Sequence, residues 1–449
     1  MSKIRVLVVS HNAFSESKNN GKTINALFSN WSNEYLAQFY IFNEIPDNNI
    51  CKKYFRVTDY DILNANLKLN TSKGRKFNGQ ISEASIEDNH LSHVADEVIN
   101  SDDVRGIKRL IYKSIENRLP IMELAREVAW RKSKWQSEEF KKWLDDFNPQ
   151  AIFALNSNCP FFHKIMLWVQ KRFNVPLYLY STDDYTFVRS SFSPIAWVNY
   201  FRYMSWFKKS ISISKKLYVI SLPMKDEYSK RFGIENISIL TNCVNEIAET
   251  DEPITDDSVL RLIYAGGLHC NRWKVLHNLG MCLEQLKKEG FNAVLDVYCP
   301  TKPSQKIIDY LIKTPSVQYK GTLNQAQLLD EINKCNILVH VESFDKKSIK
   351  TTRLSFSTKI PEYMVSNRCI LAIGPEQVAS MRYLKENGAA LCISSTDRNE
   401  ITQMIKEYLF NSDYRVATAK RAKKVALENH DINKIQEKLY GDLKNSVIE

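Results

Sequence analysis

The sequence contains no apolar run of about 18 residues, so none of its segments is expected to cross a bilayer. Its nine cysteines include no Cys-x-x-Cys pair. Several lie inside apolar runs, as in TNCVN at Cys243, NKCNILVHV at Cys335 and RCILAIG at Cys369. An odd number of thiols in such settings argues against a disulfide framework and against a zinc site, and suits a reducing cytoplasm. No long basic block, RNA-binding signature or zinc-finger spacing accompanies the net charge of +11, so nucleic acid is not an expected partner. The first strand-like run opens at residue 4, and no secretory leader is expected ahead of it.

A mononucleotide phosphate loop is missing as well. The stretch SESKNNGKTINALF follows the apolar run IRVLVVS, and its GKT invites that reading. Such a loop needs a glycine five positions before Gly21, and that position is Glu16. What remains is a strand, a polar loop and a helix opened near Thr23 by Gly21, with Lys22 beside it. A glycine at a helix start favours close approach of an anion, or it merely starts the helix.

At 449 residues the chain exceeds one compact domain, and 44% hydrophobic with 25% charged residues is an ordinary globular composition. The positive balance points to anionic partners such as nucleotides or phospholipid headgroups. Residues 4 to 43 read strand, helix, strand, the start of a parallel sheet. Residues 45 to 92 read as polar and irregular, and 92 to 147 as helical. NPQAIFALN, VPLYLYSTDDY, KKLYVIS and ISILTNCV then read as further strands. The acidic stretch NEIAETDEPITDDS reads as a linker. After it VLRLIYAGG, AVLDVYC, SVQYKG, NILVHVES, CILAIG and AALCISS alternate with helical patterns. The expected organisation is a first Rossmann-like domain over 1–248 with a helical insertion at about 92–147, a second over 249–428, and an amphipathic helix over 429–449 bearing Ile432, Ile435, Leu439 and Leu443 on one face. In such α/β domains ligands lie beyond the C-terminal strand ends. Two in series are expected to face each other across a cleft.

Two stretches carry the chemistry. In RLSFSTKIPEYMVSNRCILAIGP, a short helix starts near Ser357 or Thr358, either of which can cap it, and Pro361 suits its first turn. Free amides, two hydroxyls and the Lys359 ammonium together suit a diphosphate, and Glu362 one turn on can accept the two hydroxyls of a ribose. The same residues equally describe a well-capped helix with a surface Lys and Glu. In YAGGLHCNRWKVL, Gly266 and Gly267 permit close backbone approach, and Arg272 and Lys274 stand near a helix start. Asp183 and Asp184 in LYSTDDYTF follow a strand, where a carboxylate can deprotonate an acceptor hydroxyl or cap a helix. His11 ends a strand in the same way. The Asp-x-Asp of TDYDIL, Asp59 and Asp61, reads as chance rather than a metal motif. The aromatic stretch 193–210, with Trp197, Tyr200, Phe201, Met204 and Phe207 at helical steps, reads as core or as a membrane-interface helix.

The segment with Ser357, Thr358, Lys359, Glu362, Tyr363, Asn367 and CILAIGP resembles the donor-binding region of GT-B glycosyltransferases, especially the retaining family-4-like enzymes of bacterial polysaccharide synthesis. The resemblance implies an α/β GT-B fold with two Rossmann-like domains and a nucleotide-diphosphate sugar as donor. It implies that Glu362 binds the nucleotide ribose. The family's strand-Gly-Arg turn with a Lys five residues on maps to Gly267 and Arg272, which makes Arg272 the phosphate cation with Lys274 as second candidate. It places Gly21 in a cleft-lining loop near the donor phosphates. The family often has a second glutamate eight positions before the ribose-binding one, and here that position is Leu354, next to Arg353.

The expectation is a cytoplasmic, metal-independent glycosyltransferase without a resident cofactor. It would move a sugar to a hydroxyl of a glycan or lipid-linked acceptor in capsule or O-antigen synthesis, with retention and with peripheral contact at the inner membrane face. The donor site is expected from Gly21, Gly267, Arg272, Lys274, Ser357, Thr358, Lys359 and Glu362, with Asp183 and Asp184 on the acceptor side. The alternatives are a nucleotide-sugar epimerase of the same fold and a non-catalytic partner subunit.

Overall fold

The computed structural model describes residues 3–16, 19–66, 75–78, 119–133, 135–188, 192–244 and 258–448. The linker stretch at 245–257 and most of the expected insertion before residue 119 lie outside the described residues. The chain packs as two units, one of Met1–Val219, Ser229–Ser238 and Gln436–Glu449, the other of Ile220–Tyr228 and Ile239–Ile435. The main changeovers fall at 238/239 and 435/436, where the composition reading set boundaries at 248/249 and 428/429.

The first unit is built on an eight-stranded sheet in the order β4-β3-β2-β1-β5-β6-β7-β8. Its strands are β1 (Val6–Ser10), β2 (Leu36–Tyr40), β3 (Lys53–Arg56), β4 (Arg75–Asn78), β5 (Ala151–Leu155), β6 (Leu177–Ser181), β7 (Lys216–Val219) and β8 (Ile237–Ile239). From β3 through β7 the pairing is parallel, and β4 runs antiparallel at the edge. Strands β1, β2, β5 and β6 are buried along their whole length, as strands covered on both faces must be. Helices α1 (Asn19–Phe28) and α2 (Asp59–Asn66) follow β1 and β3. The described part of the insertion gives α3 (Pro120–Lys132) and α4 (Glu138–Phe147), and α5 (Pro160–Phe173) and α6 (Pro194–Ile213) follow β5 and β6.

The region 45–92 is therefore not irregular throughout, since β3, α2 and β4 lie in it. Only Tyr54 and Phe55 of β3 are buried, a two-residue signal too short to read as a period. Helix α4 shows how the pattern works where it is long enough. Ser137 accepts from the Phe140 amide at 3.2 Å, and Phe140, Trp143, Leu144 and Phe147 fall on one face. Phe140 then meets Phe39 of β2 at 5.1 Å and Phe55 of β3 at 4.9 Å between ring centres.

The second unit holds a six-stranded, all-parallel sheet in the order β11-β10-β9-β12-β13-β14. The strands are β9 (Leu260–Ala265), β10 (Ala293–Tyr298), β11 (Val317–Gly321), β12 (Ile337–Val341), β13 (Cys369–Ile373) and β14 (Leu391–Ile393). Helix α7 (Leu222–Phe232) precedes them in the chain. Between and after the strands come α8 (Arg272–Lys288), α9 (Gln305–Leu311), α10 (Gln325–Asn333), α11 (Lys346–Thr352), α12 (Lys359–Val365), α13 (Ala379–Glu386), α14 (Arg398–Met404) and α15 (Ser412–Asn429). The six expected strands are all present. Their order is that of the doubly wound dinucleotide fold, with the strand order reversing between β9 and β12. All nine cysteines are free thiols.

The last helix, α16 (Ile432–Ile448), buries Ile435, Leu439 and Leu443, while Ile432 is half-buried. From Gln436 onward it is fastened to the first unit. Gln436 donates to the Ala26 carbonyl at 2.6 Å. The Asp442 carboxylate accepts from Lys216 at 2.6 Å and from the Tyr218 hydroxyl at 2.5 Å, and its carbonyl accepts from the Tyr178 hydroxyl at 2.6 Å. Replacing Asp442 by Ala leaves a half-buried ammonium, Lys216, and a fully buried hydroxyl, Tyr218, without their acceptor. It is expected to lower stability by about 1–3 kcal/mol, read as a reduced urea midpoint with unchanged slope.

Acid should loosen both units through buried histidines. His163 sits between Ser210 Oγ at 2.8 Å and the Ser157 carbonyl at 2.9 Å, and His430 between the Asn242 carbonyl at 2.7 Å and the Tyr383 hydroxyl at 2.9 Å. Burial holds both down to about 4, from an ordinary 6.5. As pH falls the unfolded chain takes up these protons first. Their contribution is complete above about 6.5 and is lost between 6.5 and 4, each by on the order of 3 kcal/mol. In chemical denaturation across that window, His163→Gln should flatten the slope of unfolding free energy against pH.

Candidate functional site

Parallel strands of one sheet all end at the same edge, and a crevice opens where neighbouring connections leave in opposite directions. In the second unit that place lies between β9 and β12. The chain leaves β9 through Gly266, Gly267, Leu268, His269, Cys270 and Asn271 before α8 starts at Arg272. The Tyr264 ring folds back so that its hydroxyl donates to the Gly267 carbonyl at 2.7 Å, and a Cβ on Gly266 would lie 2.6 Å from that hydroxyl. Cys270 and Asn271 are left-handed, with φ of 55° and 58°, and this sharp turn delivers Arg272 as the first helical residue.

Arg272 Nη2 donates to Glu342 Oε1 at 2.8 Å, and its Nη1 lies 3.1 Å from His269 Nε2. Glu342 directly follows β12 and is 3% exposed. Burial opposes the charge on Arg272, but the Glu342 carboxylate more than offsets it, so the guanidinium pKa lies above its usual range. Tyr264 is pushed up by burial despite the nearby Arg272 charge. His340, 3.7 Å from Glu342 Oε1, is held down to about 4 by burial. Lys274 is exposed and lies 5.3 Å from the centre of the Trp273 ring.

The second stretch arrives at the same strand end. Thr358 occupies the cap position of α12, but its side chain makes no capping bond, whereas Ser357 Oγ accepts from the Lys359 amide at 3.4 Å. The Lys359 ammonium donates to the Ala265 carbonyl, and the Ala265 amide donates to the Tyr363 hydroxyl at 3.2 Å. Lys359 and Tyr363 thus clasp the last residue of β9, a few residues before Arg272. Glu362 is half-buried in the first turn of α12. Leu354, at the position where the resembling family carries its other glutamate, is 4% exposed, and its carbonyl accepts from Ser221 Oγ at 2.7 Å. Its neighbour Arg353 is paired with both carboxylate oxygens of Glu227.

In the first unit the loop after β1 is fastened to β2 and the segment that follows it. The Ala13 amide donates to Glu44 at 3.1 Å and the Phe14 amide to Gln38 at 2.9 Å, so two amides that a phosphate loop would present are already engaged. Helix α1 begins at Asn19, ahead of Gly21 rather than after it. A Cβ on Gly21 would overlap the Ala13 carbonyl oxygen, which explains the glycine by packing against this loop. His11 Nε2 lies 2.8 Å from Ser157 Oγ, and its ring stacks on Phe162 at 4.5 Å. Asp183 is half-buried in the loop after β6. Asp184 is buried, and its Oδ1 accepts from the Thr186 amide at 2.8 Å and hydroxyl at 2.6 Å. It shapes a loop turn rather than capping a helix, since α6 is capped by Ser193.

Asp59 and Asp61 follow β3, a short strand of which only Tyr54 and Phe55 are buried. Asp61 accepts from the Thr58 amide at 2.8 Å, and Asp59 from Arg126 at 2.8 Å and Trp130 at 2.7 Å. No group of three or more metal-ligating side chains occurs among the described residues. The aromatic stripe of α6 divides between two faces: Tyr203, Met204 and Phe207 are buried, while Trp197 and Phe201 are 40% and 62% exposed.

The residues that sequence reasoning missed are Glu342, His269 and the hydroxyl of Tyr363. Glu342 had a signal, a single carboxylate closing the apolar run NILVHVES. His269 had none, and Tyr363, though it lies in the segment that carries the resemblance, had no signal for its hydroxyl, because both roles depend on the turn and on where α12 docks.

No family model matches this chain, and no curated protein does. Solved structures do. Sucrose-phosphate synthase from Thermosynechococcus elongatus superposes with a TM-score of 0.62 at 11% identity, covering 99% of each chain. The Anabaena protein HepE, in complex with UDP and glucose, gives 0.58 at 10% identity over 98% of this chain and 99% of its own. An alpha,alpha-trehalose-phosphate synthase (UDP-forming) from Burkholderia vietnamiensis gives 0.58 at 11% identity over 98% and 100%. Two Rossmann-like parallel-sheet domains in one chain, together with these matches, define the GT-B fold, and this chain has it.

If Asp184 is structural, Asp184→Ala should lower stability by about 1–3 kcal/mol in urea denaturation, while Asp184→Asn, whose amide oxygen can still accept from Thr186, recovers most of it.

Proposed function

We propose that this chain is a glycosyltransferase that takes its sugar from a nucleotide-diphosphate donor bound at the β9 end of the second unit. The observation that carries this reading is the meeting of two stretches nearly a hundred residues apart, with Lys359 and Tyr363 reaching Ala265 while the turn that follows delivers Arg272. Arg272 and Lys359 would stabilise the charge that develops on the departing diphosphate, and Glu362 would hold the ribose. The GT-B fold and the UDP named with HepE and with the trehalose-phosphate synthase support a nucleotide-sugar donor.

The finer parts of the proposal are transfer with retention, without a metal, to a hydroxyl of a glycan or lipid-linked acceptor in bacterial surface polysaccharide synthesis. Its setting is the cytoplasm. No helix among the described residues is long and apolar enough to cross a membrane. The exposed Trp197, Val198 and Phe201 on α6, with Lys208 and Lys209 further along it, suit peripheral contact with an anionic inner leaflet. A second reading, a non-catalytic GT-B partner subunit, is favoured by the buried Leu354 where the family carries a glutamate. Donor binding without turnover across a panel of acceptors would select it. A nucleotide-sugar epimerase would instead convert donor alone.

A thermal-shift screen against UDP, GDP, ADP and CMP sugars is the direct test. A donor at 100 times its dissociation constant should add ~2.7 kcal/mol of stability. Lys359→Met should then weaken that donor by about 10–100-fold in calorimetry, the worth of a charge-assisted contact of about 1.5–3 kcal/mol. Absence of any shift across the panel overturns the reading.

A further inference from the structure

We infer that Glu342 is a positioning residue that fixes the Arg272 guanidinium for the donor diphosphate, an inference that rests on the function proposed above for Arg272. The two residues come from the strand ends that flank the switch point, Arg272 through the turn after β9 and Glu342 directly after β12. Strands β9 and β12 are hydrogen-bonded neighbours, so a link between these side chains spans the place where their connections part.

Glu342 is itself tightly held. Its amide donates to the Ile373 carbonyl at 2.9 Å, which continues the β12–β13 ladder one residue past the strand. Just past the neighbouring strand β13, Gly374 leaves the space that Glu342 fills, since a Cβ there would lie 2.8 Å from the Glu342 Cβ. A carboxylate so buried requires a charged partner. Among the described residues the only cation paired with it is Arg272, because His340 is held neutral near pH 7 by burial. The contact is made through one oxygen and one nitrogen. Arg272 Nε and Glu342 Oε2 are both buried without a hydrogen-bond partner in the structure. A closed two-bond fork would occupy both. The observed pairing instead anchors Nη2 on Glu342 and Nη1 on His269 and leaves Nε–H unengaged.

This arrangement fits orientation better than simple charge balance. A guanidinium is planar, so fixing two of its nitrogens fixes the third. A diphosphate then meets a guanidinium already held in place, whose terminal nitrogens each keep a second N–H, without the entropy of immobilising a long side chain. The strained turn at Cys270 and Asn271 has the same consequence, since it sets the Cα of Arg272 while Glu342 sets the far end of its side chain.

The test is a double-mutant cycle on the full-length chain, with UDP, GDP and ADP as calorimetric probes: wild type, Glu342→Gln, Arg272→Met and the double variant. Glu342→Gln should weaken the nucleotide that wild type binds about tenfold. In the Arg272→Met background the same change should have less than about a twofold effect, because Glu342 acts through the arginine. Arg272→Met alone strands a buried carboxylate and can fail to fold. The uncharged double variant avoids this, and Glu342→Gln must then bind with an affinity between wild type and the double. Wild-type affinity in a folded Glu342→Gln overturns the inference while leaving the donor site standing. An equal loss in both backgrounds overturns it too, since Glu342 would then act without Arg272. Unchanged affinity in Arg272→Met removes Arg272 from the site, and no nucleotide binding by wild type overturns the function and this inference together.

Discussion

Parallel pairing is the constraint from which the rest of the second unit follows. Six strands that run the same way must all end at one edge, and each must return by a crossover. Because β9 lies in the middle and the chain winds outward first to β10 and β11, then back to β12, the connections leaving β9 and β12 depart to opposite sides. The groups that follow those two strands are brought together by topology alone. That is why a turn near residue 270 and a carboxylate at residue 342 meet although seventy residues separate them. Helix α12 adds a third segment by docking Lys359 and Tyr363 on the last residue of β9.

The charges at this edge do not stand as isolated cations. Lys359 donates to a main-chain carbonyl, and Arg272 to a buried carboxylate and an imidazole. Each partner lowers the cost of keeping a cation in a partly desolvated place and narrows the positions it can take. The first unit treats its loops differently. There Gln38, Glu44 and Asp184 engage nearby loop amides, and the loops are locked against their own sheet. A loop whose amides are occupied by side chains can shape a surface, but it cannot cradle a phosphate with those amides.

The strands were the most legible part of this fold. Apolar runs such as LVVS, AIFAL and ILVHV are buried from end to end and need no partner pattern to be recognised. Strand β3 was not legible, because only two of its four residues are buried and lysine and arginine flank them. In the candidate site, Arg272 and Lys359 could be picked out because a cation after a strand or at a helix start is a local signal. Glu342 could not be assigned a role, since its importance lies in a contact across the sheet. Asp183 and Asp184 read alike in sequence, and only the three-dimensional turn separates the buried one, bonded to Thr186, from its half-buried neighbour. Gly21 reads in sequence as the glycine that opens a helix after the first strand, whereas the packing reason for it lies in the carbonyl of Ala13.

The two units carry the same kind of sheet reversal, and comparing what each places there separates their chemistry. In the first unit β1 is flanked by β2 and β5, and the residues that follow β1 and β5 meet as His11 and Ser157, with Phe162 stacked on the imidazole. That pair is an imidazole and a hydroxyl lying against an aromatic ring. Such groups offer hydrogen bonds and an aromatic face. In the second unit the equivalent pair is Arg272 and Glu342, with Lys359 at the strand end beside them. Full charges held at fixed points suit a ligand whose own charge is fixed and multiple. One topology repeated in a chain therefore yields two different surfaces, because the fold decides which strand ends meet and the side chains placed there decide what they can bind.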